Sequence, residues 1–279
     1  MTVLEVLQSS TDYFKKRGVE SPRLNAEHLL AFALKKKRIE LYLEFERGLT
    51  EGELAPLRDL VKRRGQGEPL QHLLGMVEFA GRMFLCDKRA LVPRPETEQL
   101  VEMIAEGRLQ KADCRILDVG TGSGVIALSL AAKFPEAKVT GTDISGDALA
   151  LARENAGRLG LTERVELLRS DLLIYVTHVY DLIVANLPYI AAGDRGALSR
   201  EVLHDPEIAL FGGERGDEMV RKLIEAARSH LAPGGLLALE VGLGQADDLA
   251  TFMAEKNYHD IETARDYAGV IRFVFGRYG

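Results

Sequence analysis

The sequence predicts an α/β protein: a doubly wound, mostly parallel seven-stranded sheet preceded by a small N-terminal helical bundle. Three observations predict it. From residue 114 onward, β-type apolar runs alternate with helical patterns at the spacing of βαβ units, and such units imply a largely parallel sheet with helices on both faces. The first run, Arg115-Ile116-Leu117-Asp118-Val119, passes straight into Gly120-Thr121-Gly122-Ser123-Gly124 and then into a helical pattern. Residues 1–70 carry only helical periodicity. A chain of 279 residues is long enough for one large domain and a small one.

Taken in order, Val3, Leu4, Val6, Leu7, Tyr13 and Phe14 form one helical stripe that Gly18 would stop. Ser21-Pro22 reads as an N-cap with proline at the first helical position. Leu24, Leu29, Leu30, Phe32, Ala33 and Leu34 follow as the apolar positions of that helix. Ile39 to Phe45 suits a short third helix. Thr50-Glu51-Gly52-Glu53 is a capping-box pattern ahead of Leu54, Leu57, Leu60 and Val61. Gly75, Val77, Phe79, Gly81, Met83, Phe84 and Leu85 then predict a β-hairpin. Helix returns from Glu96 to about Leu109. Strands are expected at 115–119, 137–143, 164–169, 180–185, 235–241, 258–264 and 269–276, the last two as an antiparallel hairpin. Helices are expected at 124–133, 146–159, 216–231 and 245–255. The implied organisation is a bundle over 1–73, a hairpin linker over 74–92 and an α/β domain over 93–279.

Composition narrows the function classes. Apolar residues make up 46% of the chain, enough for a substantial core, and no run reaches the ~18 apolar residues of a membrane span. Met1-Thr2-Val3-Leu4-Glu5 lacks the basic-then-apolar layout of a secretion signal, so a cytoplasmic setting is expected. Cys86 and Cys114 fit a reducing compartment and offer no disulfide framework. The six histidines show no ligand spacing, so no metal site is expected. The net charge of −6 is uneven: residues 1–75 carry 13 Lys+Arg against 11 Asp+Glu, the remainder 23 against 31. Lys35-Lys36-Lys37-Arg38 and Lys62-Arg63-Arg64 read either as solvated helix ends or as a docking surface for an acidic partner or RNA. The acidic remainder argues against dedicated DNA binding.

The glycine turn is the candidate ligand loop. Its glycines let the backbone turn sharply and approach a ligand, and the following helix turns its free N–H groups and positive end toward the same place. A dinucleotide fingerprint, G-x-G-x-x-G, needs glycine at 125, where this chain has Val125. The loop is G-x-G-x-G, with Asp118 two positions before the first glycine. That arrangement resembles motif I of S-adenosylmethionine (SAM) methyltransferases. The next strand ends in Asp143, whose carboxylate could accept from both ribose hydroxyls; the competing reading is a helix cap shared with Ser145. The third strand ends in Ser170-Asp171-Leu172, where Asp171 and Leu172 read either as the adenine-side wall or as a plain turn.

The candidate acceptor site is Asn186-Leu187-Pro188-Tyr189, at the end of the apolar run Tyr180-Asp181-Leu182-Ile183-Val184-Ala185. An amide nitrogen is a poor nucleophile because its lone pair is delocalised into the carbonyl. The remedy is orientation: fixed acceptors for both N–H bonds aim the nitrogen at the methyl donor. Asn186 offers a side-chain carbonyl and Leu187 a backbone carbonyl. Pro188 restricts residue 187 to extended geometry, and Tyr189 can lie against a planar group. The competing reading is an ordinary strand-ending turn.

These motifs resemble the nitrogen-directed SAM methyltransferases that carry Asn-Pro-Pro-Tyr. More narrowly, the chain is similar to the HemK/PrmC family, the protein-(glutamine-N5) methyltransferases of class I peptide-chain release factors. The resemblance rests on Glu68-Pro69-Leu70-Gln71-His72-Leu73-Leu74-Gly75, on Leu91-Val92-Pro93-Arg94-Pro95-Glu96-Thr97-Glu98, and on Asp205-Pro206 with Ala209-Leu210-Phe211-Gly212-Gly213. Leu239-Glu240-Val241-Gly242 with Gln245, and Asp266-Tyr267-Ala268-Gly269 with Arg272, extend it to the C-terminal strands. It implies a class I SAM-dependent methyltransferase fold and, as substrate, the glutamine of the Gly-Gly-Gln motif of release factors. It also implies that residues 1–73 dock the release factor, that the enzyme is a cytoplasmic monomer, and that it holds no stable nucleic acid or membrane. By the same resemblance Gly120, Thr121, Gly122, Ser123, Gly124, Asp143, Asp171, Leu172 and Asn186 bind SAM. Asn186, Leu187, Pro188 and Tyr189 hold the glutamine, and Glu96 and Thr97 lie near the methionine end of the cofactor. Leu187 departs from the family's proline. Activity is expected to survive, because the role at 187 belongs to a carbonyl, but with a looser loop and a bulkier side chain. Asp205, where the family often has Glu, is a lesser change.

Two other readings compete. Adenine-N6 methylation of DNA or RNA would present a similar conjugated NH2, but calls for a basic cleft and a base-reading region. A non-catalytic SAM-binding adaptor is favoured only by Leu187 and opposed by Asn186, Pro188 and Tyr189.

Overall fold

The computed structural model of the protein describes residues 1–109 and 111–279. The chain divides into two compact units: Met1–Met76 with Ser199–His204, and Val77–Leu198 with Asp205–Gly279.

The first unit is helical. Helix α1 (Val3–Lys16) opens on a capping box in which the Thr2 hydroxyl accepts from the Glu5 N–H and the Glu5 carboxylate accepts from the Thr2 N–H. Gly18, at φ +71°, follows its end as expected. Helix α2 (Pro22–Ala33) has its proline in the first turn, but Ser21 makes no side-chain cap and sits at φ +45°. Asn25 closes that turn instead, its Nδ2 donating to the Glu20 and Ser21 carbonyls. Helices α3 (Arg38–Leu43), α4 (Glu51–Gly65) and α5 (Leu70–Leu74) complete the bundle. At the head of α4 the Glu53 carboxylate accepts from both the N–H and the hydroxyl of Thr50. Val3, Leu7, Phe14, Leu29, Leu30 and Leu41 form the centre of its core. Thr11, Asn25, Glu27 and Arg64 are the polar residues buried with them. Glu27 accepts from Arg23, Arg38 and Tyr42. Arg64, 4% exposed, donates to Asn25 Oδ1 at 2.7 Å, the Glu68 carbonyl at 3.0 Å and Glu201 Oε2 at 2.6 Å.

A hairpin of β1 (Met76–Phe79) and β2 (Arg82–Leu85) comes next, turning on Ala80 and Gly81 at φ +49° and +71°. Helix α6 (Pro95–Met103) continues into one π-helical turn, Ile104–Arg108. Then follow β3 (Arg115–Val119), α7 (Val125–Lys133), β4 (Lys138–Asp143), α8 (Gly146–Leu159), β5 (Val165–Arg169) and β6 (Tyr180–Asn186). A two-stranded piece, β7 (Ile190–Ala191) with β8 (Phe211–Gly213), was not predicted; it is too short to carry a periodic signal. The chain ends with α9 (Glu218–Ala227), β9 (Leu231–Glu240), α10 (Ala246–Glu255), β10 (Tyr258–Arg265) and β11 (Ile271–Tyr278). Helix α9 is shorter at both ends than the span 216–231 expected for it.

The sheet runs in the order β10-β11-β9-β6-β3-β4-β5. Strands β9, β6, β3, β4 and β5 are parallel, and β11 lies antiparallel to both β9 and β10. This is the doubly wound seven-stranded fold expected from the sequence. Side chains alternate between two cores with period two. Ile116, Leu182, Val184, Leu236 and Ala238 pack on one face with α6 and α7, whereas Leu117, Ile183, Ala185, Leu237 and Leu239 pack on the other with α9 and α10. The order of strands reverses between β3 and β6, and at such a switch point the carboxyl ends of the strands form a ligand crevice.

Candidate active site

A cleft of about 180 Å³ opens at that switch point. The glycine turn forms its floor. Gly120, Gly122 and Gly124 all have left-handed φ, at +74°, +56° and +84°, which is why glycine occupies them. The turn is fastened from beneath. Both Gly120 and Thr121 donate their N–H groups to the Thr142 carbonyl at 2.8 Å. Asp118 is fully buried and accepts through Oδ2 from the Thr121 hydroxyl (2.6 Å) and the Ala127 N–H (3.1 Å), tying strand, loop and helix together. Burial pushes its carboxyl up to about 7, against the opposing pull of those two hydrogen bonds.

Asp143 stands on the rim, partly exposed. Its Oδ2 accepts from the Gly122 N–H at 2.9 Å and its Oδ1 from the Ser145 N–H at 2.8 Å. Burial raises its pKa and these backbone donors lower it. Ser145 caps α8 through the Ala148 N–H, the capping role the sequence offered for it, and Asp143 lines the cleft. Asp171 is exposed at the cleft edge. Leu172 lines the cleft at φ +48°, a conformation that costs an ordinary residue about 1–2 kcal/mol.

Across from the glycine turn lies the end of β6. Asn186 pairs in register with Glu240 of β9, so the two side chains emerge on the same face of the sheet. That face carries the α6 core, and Thr97, in the first turn of α6, sits between them. The Asn186 Nδ2 donates to Thr97 Oγ1 at 2.9 Å, and the Thr97 hydroxyl donates to Glu240 Oε2 at 2.7 Å. Among the described residues, no donor occupies Asn186 Oδ1 or the Leu187 carbonyl. Leu187 falls on the opposite face, 5% exposed, within the core of Ile183, Ala185 and Leu239. The Leu187 side chain is therefore core material packed against Gly120, where a Cβ would meet Leu187 Cδ2 at 2.8 Å.

The segment after Asn186 is held by backbone packing. Gln245 donates to the Tyr189 carbonyl at 3.0 Å and accepts from the Gly242 N–H at 2.9 Å. A Cβ on Gly212 would lie 2.2 Å from the Pro188 carbonyl oxygen, and one on Gly216 would lie 2.4 Å from that of Tyr189. Asp205, 4% exposed, accepts from the Val92 N–H and from Arg94, fixing the stretch that leads into α6.

Of the residues singled out in the sequence, the fold gathers Gly120, Thr121, Gly122, Ser123, Asp143, Asp171, Leu172, Asn186, Leu187 and Pro188 around this one cleft. Gly124 and Tyr189 lie off its lining. Gly124 provides close packing under α8, where a Cβ would sit 3.2 Å from that of Ala152. Burial raises the Tyr189 phenol pKa, with nearby Glu240 adding to it. Sequence reasoning missed Asn155. Fully buried, it donates to the Ser123 carbonyl (2.9 Å) and holds both the N–H and the carbonyl of Leu85. Its one signal is an amide on the apolar stripe of α8, beside Leu151, Ala152 and Ala156. Gly216 carried no signal. Cys86 and Cys114 are buried and unpaired, their thiols pushed up to about 12 and about 11 by desolvation.

The fold and cleft define a methyltransferase. Residues 96–214 match the methyltransferase small domain family, and residues 5–75 match the PrmC N-terminal domain. A methyltransferase from Pyrococcus furiosus has the same fold, with a TM-score of 0.52 at 23% identity over 70% of this chain and 88% of that one. So does the T. thermophilus 16S rRNA N2 G1207 methyltransferase in complex with AdoMet and guanosine, with a TM-score of 0.52 at 21% identity over 73% of this chain and 50% of that one. Curated relatives are nearer. The release factor glutamine methyltransferase of Geobacter sulfurreducens is 41% identical over 100% of this chain and 97% of its own. Those of Koribacter versatilis (39%, covering 99% of each chain) and Salmonella typhimurium (40%, covering 94% of each) are comparable. The chain belongs to the release factor glutamine methyltransferase family. Among the described residues, no helix is long and apolar enough to cross a membrane.

Proposed function

We propose that this enzyme transfers a methyl group from SAM to the side-chain nitrogen (N5) of the glutamine in the Gly-Gly-Gln motif of a class I release factor. One observation carries the reading. Two acceptors that have no donor among the described residues, Asn186 Oδ1 and the Leu187 carbonyl, belong to consecutive residues at the end of β6, and both residues line the cleft shared with the glycine turn. A primary amide has two N–H donors, and two fixed acceptors hold it in one orientation.

The cleft residues suit SAM. The left-handed glycines let a ligand approach the turn without Cβ clashes, and the N-terminus of α7 adds positive potential. Each Asp143 oxygen has one N–H donor and keeps a lone pair for a ribose hydroxyl. Ala90, Ile144 and Leu172 supply apolar walls for a purine. When bound, SAM would supply an electrophilic, sulfonium-bound methyl; transfer would exchange the S–C bond for an N–C bond at the amide, leave a neutral thioether, and return one amide proton to solvent.

The protein's own work is positioning. Asn186 Oδ1 and the Leu187 carbonyl would accept hydrogen bonds from the two amide N–H groups and so aim the nitrogen lone pair. Pro188 restricts Leu187 to extended geometry. Orientation of this kind recovers about 7–11 kcal/mol of a bimolecular barrier. Leucine at 187 is compatible, because its side chain is accommodated in the core behind the loop and the position contributes a carbonyl. Residues 1–73 would dock the release factor, with the enzyme acting as a cytoplasmic monomer that holds no stable nucleic acid.

The test is methyl transfer from labelled SAM to an intact release factor, to its Gln→Ala variant in Gly-Gly-Gln, and to DNA. Label on the intact factor alone is expected; label on DNA would replace this reading with adenine methylation. In the same assay Asn186→Ala should abolish turnover while SAM affinity stays within a few-fold.

A further inference from the structure

We infer that Thr97 and Glu240 are positioning residues that set which way round the Asn186 amide is held. This inference rests on the amide-holding role proposed above. A terminal carboxamide has nearly equivalent ends, and only one presents a carbonyl to the substrate. A hydroxyl carries one proton. The Thr97 proton is committed to Glu240 Oε2 at 2.7 Å, so toward Asn186 the Thr97 oxygen can only accept. It accepts from Asn186 Nδ2 at 2.9 Å, which leaves Oδ1 as the end facing the cleft. An ionised carboxylate accepts and never donates, so Glu240 fixes the direction of the whole chain. A protonated Glu240 could donate to Thr97. The Thr97 proton would then turn to Asn186, and the NH2 group would swing into the place of the acceptor.

The fold makes this arrangement rigid. Asn186 and Glu240 are register partners on adjacent parallel strands, and Thr97 is buried in the first turn of α6 above them. Glu240 is 1% exposed, and a carboxylate at such a site is costly in a protein that needs only a core residue there. Desolvation pushes its carboxyl up to about 7, and Glu96 adds to this, while the Thr97 hydrogen bond, Arg272 and Arg94 oppose it. The Tyr189 phenol is near enough for the Glu240 charge to raise its pKa further.

The decisive comparison is Thr97→Val against Thr97→Ser, assayed on the intact release factor. Valine keeps the shape and removes the acceptor, whereas serine keeps the hydroxyl. Thr97→Val should lower kcat about 10²-fold, the scale of a misplaced reacting group, with the SAM Kd nearly unchanged. Thr97→Ser should stay close to wild type. The wild-type kcat should also rise as pH passes upward through the ionisation of Glu240, and Glu240→Gln, which can donate or accept, should flatten that limb. SAM binding by each variant verifies that it is folded. A Thr97→Val enzyme that binds SAM and turns over at the wild-type rate would overturn the inference. A wild-type enzyme that leaves the release factor unlabelled would instead overturn the amide-holding reading beneath it.

Discussion

Gly212→Ala tests how the Asn186–Tyr189 segment is held. A Cβ at 212 would lie 2.2 Å from the Pro188 carbonyl oxygen and 2.1 Å from that of Gly216. Carbon–oxygen contacts of this kind settle at about 3.3–3.6 Å, so roughly 1 Å must be found on both sides. Neither obstacle is a side chain that can rotate away; both are backbone. Either β8 backs off, or the loop carrying Leu187 and Pro188 moves by a comparable distance. Overpacking of this sort costs about 1–3 kcal/mol of stability. A shift of about 1 Å in the acceptor carbonyl costs about 10²-fold in rate. The glycine turn and Asp143 are untouched, so SAM binding should survive. The assay is single-turnover methylation of a release factor alongside calorimetric SAM binding. A folded variant with a wild-type rate would show that the backbone contact at Gly212 does not set the acceptor position.

Three other outcomes are expected. Asp143→Ala should weaken SAM binding about 10- to 100-fold, the worth of one or two charge-assisted hydrogen bonds; an unchanged Kd in calorimetry would remove its ribose assignment. Asp118→Asn addresses pH. The folded carboxyl is raised from 3.8 to about 7, so its favourable share of stability is complete below the unfolded pKa and is lost as pH rises through the folded one. That loss is about 4 kcal/mol between about pH 4 and 7, and the asparagine variant should lack it; parallel pH–stability curves in urea titrations would contradict the assignment. Arg64→Met strips the partner from the buried Asn25 oxygen and Glu68 carbonyl and should cost the helical unit about 3–5 kcal/mol, with faster hydrogen exchange in residues 199–204; unchanged exchange there would mean Glu201 does not anchor that segment.

Much of this protein was determined by local sequence. The mostly parallel, doubly wound architecture follows from the alternation of strand and helix periodicity, and β3 and α8 fall on their predicted residues because a glycine turn or serine cap fixes their ends. The left-handed conformation of Gly120, Gly122 and Gly124 was legible because glycine is the residue that adopts it at least cost. Asn186-Leu187-Pro188-Tyr189 stood out because an amide followed by a restrained carbonyl is a short-range pattern. The consequence of Leu187 was not legible. The looser loop was expected from the loss of a proline; what the sequence left unplaced was the leucine side chain, which strand alternation buries in the core behind. The Thr97–Asn186–Glu240 chain was equally hidden as geometry, because 89 residues separate Thr97 from Asn186 and 143 separate it from Glu240. Only the register of β6 against β9 and the seating of α6 bring these side chains within hydrogen-bond range. A sequence specifies directly what neighbours along the chain must do; the direction of a hydrogen-bond chain depends on partners that only the folded sheet selects.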